Sequence, residues 1–513
     1  MMIMKNTMPR RSFLRAVGAT LAAGGLSPWI RAKQPTRKPL NILLIMADDL
    51  NTALSGYGHP QCRTPNLDAL AQNGVSFTRA YCQFPLCGPS RASMMTGQYP
   101  LANGVQRNGD TIRDNVITLP QLFRQNGYWT GRMSKIYHMG VPGHIFTGDN
   151  GTDHEPSWDE RYNVSAMETI TPGKAEDLML DDTVFLYDSL RTEWPAYEHQ
   201  GDKFFIPEGN HQGSDFVVVE TDGGDEVTAD GMAATGGVEL LRQRAKSGEP
   251  FFLAVGFVRP HVPLVAPRDL FTGYDADEMQ LAESLEGDLN DIPNVAQKNT
   301  NANKYKLGTE EQRKVLRGYY ACVSYMDQQV GRLLDELDQL DLRENTIVLF
   351  VSDHGYHLGE HTMWQKKSLM EESIRVPLIV SVPGGNSRNS QCDRIVELLD
   401  IYPTLAELAG LEPPSGIQGQ SFAHLLDNAE APARRTDALV QVDDGYCLRT
   451  DRWAYMRYAS KSGTDFESML YDMNVDPGQY TNLSGDGEYS DIENRLSERL
   501  KERIAAAEVS DGR

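Results

Sequence analysis

Leu40-Asn41-Ile42-Leu43-Leu44-Ile45-Met46, running into Ala47-Asp48-Asp49, is the stretch on which the architecture turns. An unbroken apolar run without alternation describes a strand covered on both faces, as in a parallel sheet. Its carboxylates come only at the C-terminal end. The same design recurs in Pro250-Phe251-Phe252-Leu253-Ala254-Val255-Gly256-Phe257, which ends in Val258-Arg259-Pro260-His261, and in Thr346-Ile347-Val348-Leu349-Phe350-Val351, which ends in Ser352-Asp353-His354-Gly355. Residues 376–382 form a fourth apolar run, and helical patterns lie between the runs at 66–74, 118–127, 231–246 and about 310–340. Strands alternating with helices imply a doubly wound α/β sheet. Such sheets bind ligands beyond the carboxyl ends of their strands, where three of these runs place polar residues.

At 513 residues the chain exceeds what one hydrophobic core usually supports, so one large and one smaller domain are expected. Residues 140–230 and 264–305 are rich in Gly, Pro, Asp and Asn with weak periodicity, and read as long insertions over the active face. Beyond about residue 415 the character changes. A strand pair is expected around Thr450-Asp451, then Leu470-Tyr471-Asp472, then a polar helix over about 489–507. The expected division is therefore an N-terminal segment 1–33, a main domain 38–415, and a smaller α+β unit 416–513 with a short antiparallel sheet and a terminal helix.

The net charge is −22, and the first 33 residues hold six positive and no negative side chains, so the remainder stands at −28. A body this acidic does not attract nucleic acid, and an anionic substrate needs a locally basic pocket. Arg10-Arg11-Ser12-Phe13-Leu14 precedes a short run of small apolar residues over 16–26, which looks like a twin-arginine export signal with cleavage near Ala32. No other segment approaches 20 apolar residues, so an exported, periplasmic or secreted protein without a membrane span is expected.

Cys87-Gly88-Pro89-Ser90-Arg91 continues into Ala92-Ser93-Met94-Met95-Thr96-Gly97. Pro89 suits the first position of a helix, whose free N–H groups beside Arg91 would attract a sulfate-like anion. Gly127-Tyr128-Trp129-Thr130-Gly131-Arg132-Met133-Ser134-Lys135 leads to His138, and Met363-Trp364-Gln365-Lys366-Lys367 follows the Asp-His-Gly segment. Singly, each of these is bland: Asp48-Asp49 reads as a cap or solvated turn, and the lysines as surface groups. Together, in this order and at strand ends, they resemble the type I sulfatases of the alkaline phosphatase superfamily. Asp353-His354-Gly355-Tyr356-His357-Leu358-Gly359-Glu360-His361, Arg259-Pro260-His261-Val262-Pro263 and Tyr319-Tyr320-Ala321-Cys322 are most similar to the iduronate-2-sulfatase group. Two departures stand out, Ser134 where glycine is usual and Met133 in place of a smaller residue.

The resemblance implies a large doubly wound mixed sheet sandwiched by helices, and hydrolysis of a sulfate ester of a carbohydrate. It implies that Cys87 is oxidised to formylglycine by a formylglycine-generating enzyme, because a geminal diol can expel sulfate where a sulfated Ser or Cys would stall. Asp48, Asp49, Asp353 and His354, with modified Cys87, would hold Ca²⁺, a hard cation tolerant of irregular oxygen donors. Asp353 would double as the base. Arg91 and Lys135 would steady the diol, Lys135 and Lys366 would neutralise sulfate oxygens, His261 would protonate the leaving alcohol, and His138 would take the second hydroxyl's proton. His357 and His361 read as structural or substrate-edge residues, and Glu360, Glu371, Glu372 and Arg259 as candidates for a sugar subsite. Five cysteines remain beside Cys87, an odd number that argues against a full disulfide framework, with a Cys62–Cys82 pair left open. The alternative activity is that of a phosphonate monoester hydrolase or phosphodiesterase of the same superfamily. A non-catalytic binder of sulfated glycan is disfavoured by the completeness of the residue set.

Overall fold

Strand β1 (Asn41–Asp48) lies inside a nine-stranded mixed sheet that also contains β2 (Val75–Tyr81), β3 (Trp129–Ser134), β4 (Phe251–Pro260), β5 (Thr346–Ser352) and β6 (Arg375–Ser381). The computed structural model describes residues 38–168, 171, 173–178, 216–283, 285–297, 307–459 and 466–508. The paired arginines and apolar run of the N-terminus, and part of the 140–230 insertion, lie outside the described residues. β1 is parallel to β4 on one side and to β5 on the other, while β6 runs antiparallel between β5 and β2. The order across the sheet is Ser390–Cys392, β2, β6, β5, β1, β4, β3 and Glu160–Tyr162, with Val396–Glu397 also on β2.

The uninterrupted hydrophobicity of β1 is used on both faces. Ile42, Leu44 and Met46 enter one core and Leu43, Ile45 and Ala47 the other, all fully buried. Burial of each of the Ile, Leu and Met side chains contributes about 1.5–3 kcal/mol relative to exposure. Helices α1 (Pro65–Gln72), α2 (Cys87–Thr96), α3 (Leu119–Gln125), α4 (Ala229–Ser247) and α5 (Thr309–Gln339) accompany the sheet. Asp327 of α5 accepts the N–H groups of Asn66 and Leu67 and so ties two of them together. Among the described residues no helix is long and apolar enough to cross a membrane.

A separate antiparallel sheet, β7 (Asp437–Val442), β8 (Gly445–Thr450), β9 (Trp453–Ala459) and β10 (Phe466–Asp472), precedes helix α6 (Ser490–Glu508). Leu439, Leu448, Tyr455 and Leu470 face Leu496 and Leu500 of α6, while Val440, Cys447, Met456 and Tyr471 join the core on one side of the large sheet. The expected α/β class, with a small antiparallel sheet and a terminal helix, is the fold observed.

Cys62 and Cys82 are both free thiols. They belong to hydrophobic cores on opposite faces of the large sheet, which rules out the bridge left open by the sequence.

Candidate active site

Side chains of adjacent strand residues point to opposite faces, so Asp48 and Asp49 on a regular strand would diverge. Two local features prevent this. The register with β4 shifts between Met46 and Asp48, and Asp49 takes a left-handed backbone conformation (φ 62°). Its N–H donates to Asp353 Oδ1 (3.2 Å), and its carbonyl accepts from the Tyr319 hydroxyl (2.8 Å), which in turn accepts from Asn51 N–H (3.0 Å). Ser352 Oγ accepts from Leu50 N–H (3.0 Å) and donates to the His354 carbonyl (2.9 Å). The ends of β1 and β5 are thus stitched into one surface carrying Asp48, Asp49, Asp353 and His354.

Helix α2 delivers Cys87 to that surface at its first residue. Gly88 N–H donates to Asn108 Oδ1 (2.9 Å), and a Cβ on Gly88 would lie 2.8 Å from Asn108 Cα, so the approach needs glycine. Ser90 Oγ donates to the Asp353 carbonyl. Arg91, wholly buried, donates from Nε to Asp353 Oδ2 (2.7 Å), from Nη2 to Asp48 Oδ1 (3.1 Å) and from Nη1 to the carbonyls of Lys135 and Ile136. It therefore joins α2, β1, β5 and the segment after β3 through one planar group.

Lys135 lies against Asp48, and Lys366 Nζ reaches both Asp49 Oδ1 (2.6 Å) and Cys87 Sγ (3.3 Å). His354 Nε2 is 3.4 Å from Cys87 Sγ and 3.3 Å from Asp49 Oδ1. His138 lies beside the Cys87 thiol, and His261 Nε2 stands 3.8 Å from Asp49 Oδ2. Burial alone would raise the Cys87 pKa, but Lys366, Lys135 and His354 hold it well below the ordinary thiol range. Burial likewise works against Asp48, where Lys135 and Arg91 prevail and keep the carboxyl ionised. In Asp353 burial prevails over Arg91 and lifts the carboxyl to about 6, while His354 is raised against its burial by Asp353 and Cys87 to about 9. Burial and Lys135 depress His138, which stays neutral and fit to accept a proton. The cations that the acidic body required are gathered here, each of Arg91, Lys135 and Lys366 against a carboxylate.

The donor set fits a hard divalent cation. The ligand atoms of Asp48, Cys87, Asp353 and His354 lie within 4.8 Å of one another, as do those of Asp48, Asp49, Cys87 and His261. Asp49 Oδ2 is buried without a hydrogen-bond partner, an acceptor aimed at this space. His354 Nδ1–H donates to the Gly355 carbonyl (2.9 Å), which leaves Nε2 as the coordinating atom. Two of the four donors in each group are carboxylate oxygens, the ligand type that calcium prefers.

The sulfatase family model matches residues 40–411, and the model of the C-terminal part of N-sulphoglucosamine sulphohydrolase matches residues 359–506. The chain belongs to the sulfatase family. It is 31% identical over 431 residues to iduronate 2-sulfatase of Homo sapiens, covering 75% of this chain and 72% of that one. It is 30% identical over 488 residues to an ulvan-active sulfatase of Formosa agariphila, covering 92% and 82%. Among solved structures, the phosphonate monoester hydrolase of Agrobacterium radiobacter superposes with a TM-score of 0.73 at 23% identity, covering 91% and 96%, and shares the fold.

All ten residues singled out for chemistry converge in this sulfatase. The departure at 133 is absorbed by a glycine elsewhere, whereas Ser134 keeps its Oγ buried without a hydrogen-bond partner. A Cβ on Gly236 of α4 would lie 2.0 Å from Met133 Cε, and one on Gly256 of β4 would lie 2.0 Å from the Lys135 carbonyl oxygen. Ser134 itself is buried in a left-handed conformation (φ 59°). Gly256→Ala must displace the Lys135 backbone, so a loss of about 1–3 kcal/mol in denaturant unfolding is expected together with reduced activity. An unchanged midpoint and rate would show that this contact is slack.

Two residues offered as sugar-facing are not available for that task. Glu371 accepts from Arg449 Nε (3.0 Å) and from the Tyr81 hydroxyl (2.9 Å), and Arg259 is 1% exposed, with its charge against Glu168. Glu360 is tied to its own loop through Leu358 N–H (2.6 Å). His361 pairs with Asp288 (3.1 Å) and packs on the Tyr480 ring, and His357 is buried; neither belongs to the metal-capable groups among the described residues. Ser90, Ser352, Tyr319 and Asn108, which orient the site, carry no signal beyond their positions inside or near the motifs.

Proposed function

We propose that this sulfatase removes an O-sulfate from a sulfated carbohydrate, a polysaccharide or an oligosaccharide derived from it, with 2-O-sulfated uronic acid the first candidate. The observation that carries the reading is the cluster of Arg91, Lys135, Lys366 and His354 packed with three buried carboxylates about residue 87. The iduronate- and ulvan-directed relatives support a saccharide substrate. The paired arginines at 10 and 11 support export.

Formylglycine at position 87, as its hydrate, would supply a nucleophilic hydroxyl and a second hydroxyl through which sulfate is expelled. Ca²⁺ held by Asp48, Asp49, Asp353 and His354 would supply charge to polarise a sulfate oxygen. The chain's own groups do the rest. Asp353, held by Arg91 Nε beside residue 87, suits the base that takes the attacking hydroxyl's proton. Lys135 and Lys366 offset charge on the sulfate oxygens, and Arg91 holds Asp353 and Asp48 in place. His261 gives a proton to the departing alcohol, and neutral His138 takes one during sulfate release. Each such proton transfer is worth about 10²–10⁴-fold in rate.

The test is sulfate release by purified protein from defined sulfated oligosaccharides, with an aryl sulfate, a phosphonate monoester and a phosphodiester alongside. The saccharide sulfate is expected to give the highest kcat/KM. Preference for the phosphonate or phosphodiester would replace this reading with the alternative, and activity on the aryl sulfate alone would remove its carbohydrate part.

A further inference from the structure

His261 acts from a loop between two prolines, and something must fix which ring nitrogen it presents. Its Nδ1 sits 2.5 Å from the Val262 carbonyl. A carbonyl only accepts, so Nδ1 carries a proton and Nε2 is the atom open toward the site, 3.8 Å from Asp49 Oδ2. The Val262 carbonyl therefore holds the Nδ1 proton, so the proton that His261 gives to the leaving oxygen is the second one, on Nε2 of its imidazolium form, and the carbonyl's orientation depends on the peptides around it.

Those peptides are gripped by a cation that the proposed chemistry leaves unused. Arg259 Nη1 donates to the carbonyls of both His261 and Pro263, each at 2.8 Å, bracketing Val262. Nη2 lies against Glu168, whose second carboxylate oxygen accepts Ala229 N–H (2.8 Å) at the start of α4. Asp230 completes the anchorage by accepting the N–H groups of Val258 (2.7 Å) and Arg259 (3.1 Å). Arg259 and Glu168 are 1% and 2% exposed. A buried guanidinium with its fork on two carbonyls holds geometry more than it adds stability, because desolvation offsets much of the attraction.

We propose that Arg259, clamped by Glu168, is a positioning residue that holds the His261–Pro263 peptides so that His261 presents Nε2 to the leaving oxygen. Glu168, in the insertion after β3, thereby couples that segment to the proton donor. The inference rests on His261 being the general acid.

The test exploits leaving groups. A nitrophenolate departs without a proton, whereas a sugar alkoxide needs one, so loss of proton donation falls on the sugar sulfate. His261→Ala should lower kcat/KM for the sugar sulfate by about 10²–10⁴-fold while lowering that for 4-nitrophenyl sulfate far less. Arg259→Gln and Glu168→Gln should shift the ratio between the two substrates in the same direction by about tenfold or more, a fraction of that proton-transfer factor. Arg259→Lys, which keeps the charge but cannot fork onto two carbonyls, should fall between them and the wild type. A structural role alone would lower both substrates in proportion, and that outcome in Arg259→Lys and Glu168→Gln overturns the clamp, as does no loss on either. If Arg259→Gln does not fold, these two milder variants carry the measurement. Equal losses in His261→Ala would instead remove the general-acid reading, and a wild type that releases no sulfate would remove the proposed function.

Discussion

Cys87→Ala is expected to lower sulfate release by about 10⁵–10⁶-fold, since removing a covalent catalyst from an otherwise intact site costs on this order. The fold should survive, because Cys87 occupies the first position of α2, while the helix is anchored by Gly88 on Asn108, Ser90 on the Asp353 carbonyl and Arg91 on two carboxylates. Cys87→Ser separates nucleophilicity from turnover. Its hydroxyl can attack sulfur as the S–O bond to the alcohol breaks and the alcohol leaves with a proton. The product is a serine sulfate with no second hydroxyl to expel the group. At most one equivalent of alcohol should be released, with the protein gaining one SO₃ by intact mass. Multiple turnover by either variant would place the chemistry elsewhere. Wild-type activity should scale with the fraction of chains whose residue 87 is converted, measured by mass on the same sample.

Much of this was legible because the strands that build the site are those with the least ambiguous sequence. β1, β4 and β5 are buried on both faces, so each reads as a continuous apolar run ending in polar residues. β2 was not seen. Val75-Ser76-Phe77-Thr78-Arg79-Ala80-Tyr81 mixes polar and apolar residues, and its place as antiparallel partner of β6 rests on tertiary contact. The convergence of the motifs could be expected from their order. The turn that makes Asp48 and Asp49 point the same way could not, because it depends on Tyr319 and Asp353, about 270 and 304 residues away. The same distance problem explains the misplacement of Arg259 and Glu371. A charged residue beside a motif defaults to solvent unless its partner is known, and here the partners are Glu168 in one case and Arg449 with Tyr81 in the other. Nor does Met133 announce that Gly236 has made room for it.

Removal of divalent cation should cost stability as well as rate, and this separates a bound ion from a merely acidic pocket. Asp48, Asp49 and Asp353 are all buried, and the positive charge now facing them comes from Arg91, Lys135 and Lys366. Both of those lysines are the groups proposed to meet sulfate. While Lys366 is committed to Asp49 and Lys135 to Asp48, neither offers its full charge to an incoming anion. A cation ligated by the carboxylates would free both lysines for the substrate, so its removal acts twice, on ligation and on the balance of charge around residue 87. An ion that binds only the folded state adds about 2.7 kcal/mol when present at 100 times its Kd. Chelation should therefore lower the Tm by several degrees and abolish turnover, and calcium should restore both better than magnesium, which demands a regular octahedron that ligands from three chain segments do not readily supply. Asp49→Asn should fold, lose the calcium-dependent rise in Tm, and leave Lys366 without its carboxylate partner. If chelated wild type kept its Tm and its rate, or if Asp49→Asn responded to calcium as the wild type does, the buried carboxylates would be serving the lysines alone.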